Sequence, residues 1–192
     1  NQKKIGILGG TFDPPHKGHI FISLEAKKLL SLDEIWWLIT PQNPHKVYKP
    51  ATYHQRLNNC LRIIKNCPIK IKEYEKDINS KYSYATIRFL CNKYNFIKFF
   101  WLMGADNVIS FHEWQNWKQI FEKVSIVVFK RQGYNSSALK SITNKQYLNY
   151  HINLDRFSLN KFNRLPSWSM LNNKEINISS TEIRNQQKNL RG

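Results

Sequence analysis

The chain has 192 residues and a mass of 22.9 kDa, room for one ordinary domain. Hydrophobic residues make up 41% and aromatic residues 14%, enough for a buried core, which excludes wholesale disorder. Its longest apolar runs (35–39, 99–103, 125–129) are strand-length, far below the ~20 residues that span a bilayer.

Thirty Lys and Arg against thirteen Asp and Glu give a net charge of +17, which points to an anionic partner. Nucleic acid, a membrane surface and phosphorylated small molecules all qualify. The basic residues divide into 22 Lys and only 8 Arg, beside 21 Asn. Direct base readout leans on Arg forks, so the bias reads as compositional drift around a phosphate-handling site. No nucleic-acid and no membrane partner is expected. Three cysteines, Cys60, Cys67 and Cys91, match no disulfide or metal spacing, and the amino terminus has no apolar leader. A reduced, cytoplasmic compartment is the expectation.

In chain order, Lys4–Leu8 is a short apolar run leading to Gly9-Gly10 and reads as a buried strand. Residues 18–30 carry a helical apolar stripe, and residues 34–40 are a second strand ended by Pro41 and Pro44. Thr52 caps a predicted helix through Asn66 with Leu57, Cys60, Leu61 and Ile64 on one face. Residues 68–73 read as a third strand, 83–94 as a helix with Ile87, Leu90 and Cys91 inward, and 98–103 as a fourth strand broken by Gly104. A short helical stretch holds Trp114 and Trp117, and residues 124–129 are a fifth strand. Residues 133–175 are polar and Asn-rich; they read as loops with a short helix near 135–147 and a strand near 150–154. A capped helix over 179–189 closes the chain. This alternation predicts one α/β domain over residues 1–192. Its core is a doubly wound, mostly parallel sheet of five or six strands with helices on both faces. Such sheets bind ligands beyond the carboxyl ends of the strands, where strand order reverses.

The first loop, Gly9-Gly-Thr-Phe-Asp-Pro-Pro-His-Lys-Gly-His19, carries the most chemistry. Gly9 and Gly10 remove side chains where the backbone leaves the strand, so a phosphate can approach the amides of Thr11 and Phe12. His16 and His19 are three apart at a helix start, facing one point above free N–H groups and the positive dipole end, with Gly18 keeping the space between them open. Near the other terminus, Ile178-Ser-Ser-Thr-Glu-Ile-Arg184 reads as a helix capped by Ser179 or Ser180, with Thr181 and Arg184 one turn apart on the same side.

The first string resembles the HxGH signature of nucleotidyltransferases, in the form typical of bacterial nicotinate-nucleotide adenylyltransferases. The ISSTEIR string resembles the same family's ISSTxIR motif. Intermediate stretches are similar in order: Asn43-Pro-His-Lys46, Tyr82-Ser-Tyr-Ala-Thr86, Gly104-Ala-Asp106, Phe111-His-Glu-Trp-Gln-Asn-Trp117 and Lys130-Arg-Gln-Gly133. Ser83, Ala85 and Gln132 depart from the usual pattern.

The resemblance implies adenylyl transfer from ATP to nicotinate mononucleotide, releasing pyrophosphate. It implies ATP contacts at Gly9, Gly10, Thr11, Phe12, Gly18, Gly104, Asp106, Ser180 and Thr181. It implies mononucleotide contacts at His45, Ser83, Thr86, Asp106, Trp114, Trp117 and Arg131, and catalytic work at His16, His19, Lys46 and Arg184. No carboxylate cluster reads as a metal cage, so Mg²⁺ is expected to arrive with ATP. A homo-oligomer is left open. Two other readings stand beside this one: an adenylyltransferase of the same superfamily acting on nicotinamide mononucleotide or phosphopantetheine, and a basic nucleic-acid-binding protein without catalysis.

Overall fold

The computed structural model describes residues 2–40, 49–74, 78, 80, 82–154, 158–171 and 180–189. Six strands form one sheet: β1 (Lys3–Gly10), β2 (Glu34–Ile39), β3 (Ile69–Lys72), β4 (Ile97–Gly104), β5 (Ser125–Phe129) and β6 (Trp168–Leu171). Their order is β3-β2-β1-β4-β5-β6, and every neighbouring pair is parallel. Parallel strands need crossovers, and helices supply them: α1 (Lys17–Leu29), α2 (Tyr53–Ile63), α3 (Ser83–Lys93), α4 (Ala105–Ser110), α5 (Trp117–Lys123), α6 (Asn135–Lys140) and α7 (Ile142–Tyr147), while α8 (Ser180–Asn189) follows the last strand. No helix among the described residues is long and apolar enough to cross a membrane.

Strand alternation builds two cores. Ile5, Ile7, Trp36, Phe99, Trp101 and Val128 face one side, where Ile87 and Leu90 of α3, Val108 of α4 and Phe121 of α5 cover them. Leu8, Trp37, Ile39, Phe100, Leu102 and Phe129 face the other, packed by Ala26 of α1, Leu30 just beyond it and Cys60 of α2. With both faces covered, the central strands read as continuous apolar runs. Each fully buried Ile or Leu stabilises the fold by about 1.5–3 kcal/mol.

The chain moves outward from β1 through β2 to β3, then returns to place β4 on the other side of β1. In register, Leu8 pairs with Leu102, so Gly9-Gly10 and Met103-Gly104 end side by side. That reversal of strand order opens a crevice above β1 and β4.

Several sequence expectations need correction. α2 starts after Thr52 as expected, with Thr52 and Gln55 forming a capping box, but it ends at Ile63. Leu61 is half exposed; the buried stripe instead runs through Arg56, Cys60 and Ile64. Trp114 and Trp117 do not share one helix: Trp114 ends a 3₁₀ turn (Phe111–Glu113), and Trp117 begins α5. The helix near 135–147 is two helices broken at Ser141, whose side chain caps the second. No strand forms at 150–154: His151 makes a single bridge to Trp168, and the sixth strand is Trp168–Leu171. There Trp168 packs into the core and donates its indole N–H to the Tyr147 carbonyl at 2.8 Å, which fixes the edge strand where polar neighbours hid it.

Candidate active site

A cleft of about 530 Å³ lies at the carboxyl ends of β1 and β4, within the size range of ligand sites. Gly9, Gly10, Thr11, Phe12, His16, Gly18, His19, Ser83, Gly104, Asp106, Trp114, Arg131, Ser180 and Thr181 all line it. Residues 9 and 184 are far apart in sequence, yet both terminal motifs meet at this one place. Gly9 has no room for a side chain: a Cβ there would stand 2.6 Å from the Trp101 ring.

The loop after β1 turns on Phe12, whose φ of +49° is uncommon for a bulky residue. Its ring anchors the turn. It is buried against Trp37, stacked at 4.7 Å, and against His19 at 4.8 Å. The chain then enters α1 through a capping box made of two histidines. His16 is the N-cap and its Nδ1 accepts the Gly18 N–H at 3.1 Å; His19 Nδ1 accepts the His16 N–H at 3.2 Å. The ring centroids are 3.8 Å apart. Because each Nδ1 accepts, each neutral ring carries its proton on Nε2 and offers a donor there. Burial, reinforced by the Arg131 charge and opposed by Glu182, lowers the His16 pKa to about 4.

Three carbonyls of this loop are tied down by side chains from distant elements. Arg56, 1% exposed, donates through Nη1 to the Thr11 carbonyl at 2.7 Å and the Thr40 carbonyl at 2.8 Å, and through Nε to the Ala51 carbonyl at 3.0 Å. Arg184 donates to the Asp13 carbonyl and, at 3.0 Å, to the Thr181 hydroxyl. Ser180 Oγ donates to the Pro14 carbonyl at 2.9 Å. Asp13 Oδ2 accepts the Ala51 N–H at 3.3 Å. α8 is thereby fastened to the loop, with Thr181 and Arg184 on the same side.

Across the cleft, Asp106 sits in the first turn of α4 and pairs with Arg131 Nη1 at 2.6 Å through Oδ2. Its other oxygen, Oδ1, is buried without a hydrogen-bond partner among the described residues. Gly104 permits this: a Cβ there would stand 2.4 Å from Oδ1. Trp114 lines the cleft with its ring edge-on to Phe111 at 4.9 Å.

Three expected residues lie elsewhere. Thr86 lines a smaller recess of about 40 Å³ that shares Gly9, Thr40, Ser83 and Trp101 with the cleft. Trp117 is absent from the cleft lining; its ring packs edge-on against Tyr147 at 5.6 Å, Phe121 and Phe111. Arg184 stands just behind the lining, on the loop carbonyl. His45, Lys46, Pro41, Pro44 and Ser179 lie outside the described residues. Sequence reasoning assigned no role to Tyr82, Trp101, Lys130 and Glu182, which also line the cleft. It also missed Arg56 behind it, although an arginine one turn before Cys60 on an amphipathic helix is a visible signal.

The family described as cytidylyltransferase-like matches residues 7–186 of this chain. The chain belongs to the cytidylyltransferase-like family. Within it, a relative from Pelagibacter ubique is 46% identical over 187 residues, 96% of this chain and 94% of that protein. Another from Ruegeria sp. (strain TM1040) is 40% identical over 180 residues, 94% and 95% of the two chains. Both carry the name "probable nicotinate-nucleotide adenylyltransferase". In fold, this cytidylyltransferase-like chain is similar to Plasmodium falciparum nicotinic acid mononucleotide adenylyltransferase complexed with NaAD, with a TM-score of 0.70 at 21% identity, covering 95% of this chain and 83% of that one. The same Plasmodium protein complexed with APC gives 0.69.

Proposed function

We propose that this cleft transfers the adenylyl group of ATP to nicotinate mononucleotide, forming nicotinate adenine dinucleotide and pyrophosphate, a step of NAD biosynthesis. The full-length relatives at 40% and 46% identity support the reaction. The observation that carries the chemistry is the histidine pair, two rings 3.8 Å apart whose Nδ1 atoms both accept backbone N–H groups.

The mononucleotide's 5′-phosphate is ionised near neutral pH. Its oxygen forms the new bond to the α-phosphorus as the bond from that phosphorus to the pyrophosphate oxygen breaks. No proton has to be removed from the attacking oxygen. Catalysis therefore rests on holding two anions in line and on stabilising charge on the α-phosphate and the departing pyrophosphate. In this reading the Nε2–H groups of His16 and His19, with the amides of Thr11 and Phe12, receive the α-phosphate. The Thr181 hydroxyl and the backbone N–H groups of Ser180 and Thr181 at the start of α8 serve the β- and γ-phosphates, and Arg184 adds its charge from behind the lining. Trp114 stacks the pyridine ring, and the backbone N–H groups of Ser83 and Gln115 receive its carboxylate. Asp106 accepts a ribose hydroxyl at Oδ1 while Arg131 neutralises Oδ2. Lys46 is the proposed cation for the phosphate being joined.

Among the described residues no group of three His, Cys, Asp or Glu is placed to hold a metal. Mg²⁺ would be held by ATP's phosphates and water, where it would offset phosphate charge. A basic nucleic-acid-binding role, the other reading of the +17 charge, would show salt-steep duplex binding without turnover. The test is to incubate the protein with ATP and nicotinate mononucleotide and identify products by mass spectrometry. Equimolar dinucleotide and pyrophosphate are expected; no dinucleotide would overturn the assignment.

A further inference from the structure

We propose that Arg56 is a positioning residue that aims the Phe12 amide at the α-phosphate of the bound nucleotide. It lies behind the cleft on α2 and does not line it. The inference rests on the adenylyl-transfer reading and deepens it.

Arg56 is an arginine buried where a charge is ordinarily solvated. A guanidinium that is 1% exposed has exchanged water for protein, and such an exchange is costly unless its N–H groups find acceptors. Arg56 finds them in the backbone carbonyls of Thr11, Thr40 and Ala51, at 2.7, 2.8 and 3.0 Å. These belong to three separate pieces of chain: the loop after β1, the end of β2 and the entry to α2. The charge thus bears on carbonyl dipoles that a neutral side chain of similar length would orient less firmly.

The consequence for the cleft follows from peptide geometry. The Thr11–Phe12 bond is not among the cis peptides, so its carbonyl and N–H point in opposite directions. With the Thr11 carbonyl drawn inward to Nη1, the Phe12 N–H faces the other way, toward the cleft that Thr11 and Phe12 line. A φ of +49° at Phe12 is strained for this residue and persists because its surroundings hold it. The ring stack on Trp37 holds one side of the peptide and Arg56 holds the other. Flipping this peptide would turn a donor into a carbonyl and set a negative dipole against the phosphate. Arg56 opposes that flip.

The test compares the wild-type chain with Arg56→Lys, which keeps the charge but lacks the planar fork. The readouts are the melting temperature, steady-state kinetics with ATP and nicotinate mononucleotide, and the ¹H–¹⁵N signal of the Phe12 amide during titration with an α,β-methylene analogue of ATP. The wild-type Phe12 amide should move downfield as the analogue binds. In a folded Arg56→Lys that response should shrink, and kcat should fall by roughly 10- to 10²-fold, with the mononucleotide KM within about 3-fold. A merely structural role would lower the melting temperature and leave kcat and the amide response unchanged, which would overturn the inference. If the variant does not fold, the wild-type titration decides: an unmoved Phe12 amide refutes the inference and a downfield shift sustains it. Failure of the proposed reaction looks different, namely wild-type analogue binding without dinucleotide formation.

Discussion

His19 Nδ1 accepts the backbone N–H of His16 at 3.2 Å, so one imidazole both closes the cap of α1 and lines the cleft. The two roles separate on substitution. His19→Ala should lower kcat by roughly 10²–10³, the scale for one preorganised donor. It should cost only about 1 kcal/mol of stability as the reciprocal cap is lost. Steady-state pyrophosphate release and urea unfolding read the two effects. Near wild-type turnover would refute the catalytic role.

His16 gives a pH signature. Its pKa is lowered from 6.5 to about 4, chiefly by burial, with Arg131 adding to the effect and Glu182 opposing it. The unfolded chain therefore binds this proton at higher pH than the folded one. The neutral ring's contribution to stability is fully present above about pH 6.5 and is lost as pH falls through about 4. NMR titration should find the His16 ring unprotonated at pH 5.5, and His16→Asn should flatten the loss of stability between pH 6.5 and 4. A ring that titrates at 6.5 would contradict the buried placement.

Gly104→Ala should disturb the mononucleotide side of the cleft. Its Cβ would stand 2.4 Å from Asp106 Oδ1, while Oδ2 is pinned by Arg131 at 2.6 Å, so the carboxylate cannot swing aside cheaply. Losing one hydrogen bond to a charged acceptor corresponds to roughly 10-fold or more in KM for nicotinate mononucleotide. An unchanged mononucleotide KM would show that Asp106 serves another purpose.

The two tryptophans of the F-x-x-W-x-x-W stretch should part company. Trp114→Ala should raise the mononucleotide KM by roughly 10-fold, as a stacking face is removed. Trp117→Ala should act through stability, by about 2–3 kcal/mol, because its ring packs on Tyr147, Phe121 and Phe111. Thermal melts beside kinetics distinguish them; a stable Trp117→Ala with a raised KM would reverse the assignment.

What was legible in the sequence follows from local rules. Gly9-Gly10 after an apolar run, the His16/His19 spacing and the Thr52 cap are short-range features, and each falls where the spacing predicts. The parallel sheet followed from the alternation of strands and helices, and the family from the two terminal motifs together. The sixth strand was not legible, because Trp168–Leu171 is four residues long in a polar stretch and owes its pairing to β5 alone among the described strands. Arg56 was passed over because charge is ordinarily a mark of the solvated face; its partners are carbonyls 5, 16 and 45 positions away. Trp117 shared the spacing of a stacking residue but was drawn inward by the aromatic cluster around Phe121.

The most direct test of the account is the ratio of kcat/KM for nicotinate against nicotinamide mononucleotide, measured at low and high ionic strength. The two acceptors differ by carboxylate against carboxamide and have nearly the same shape, so sterics cannot separate them. The backbone N–H groups proposed to receive the carboxylate, at Ser83 and Gln115, can, because the amide's NH₂ would oppose them and leave a donor unpaired. The account predicts at least ~10²-fold preference for the acid, retained in high salt because it arises inside the pocket rather than from the net charge of +17. Equal efficiencies, or a preference that disappears with salt, would contradict it.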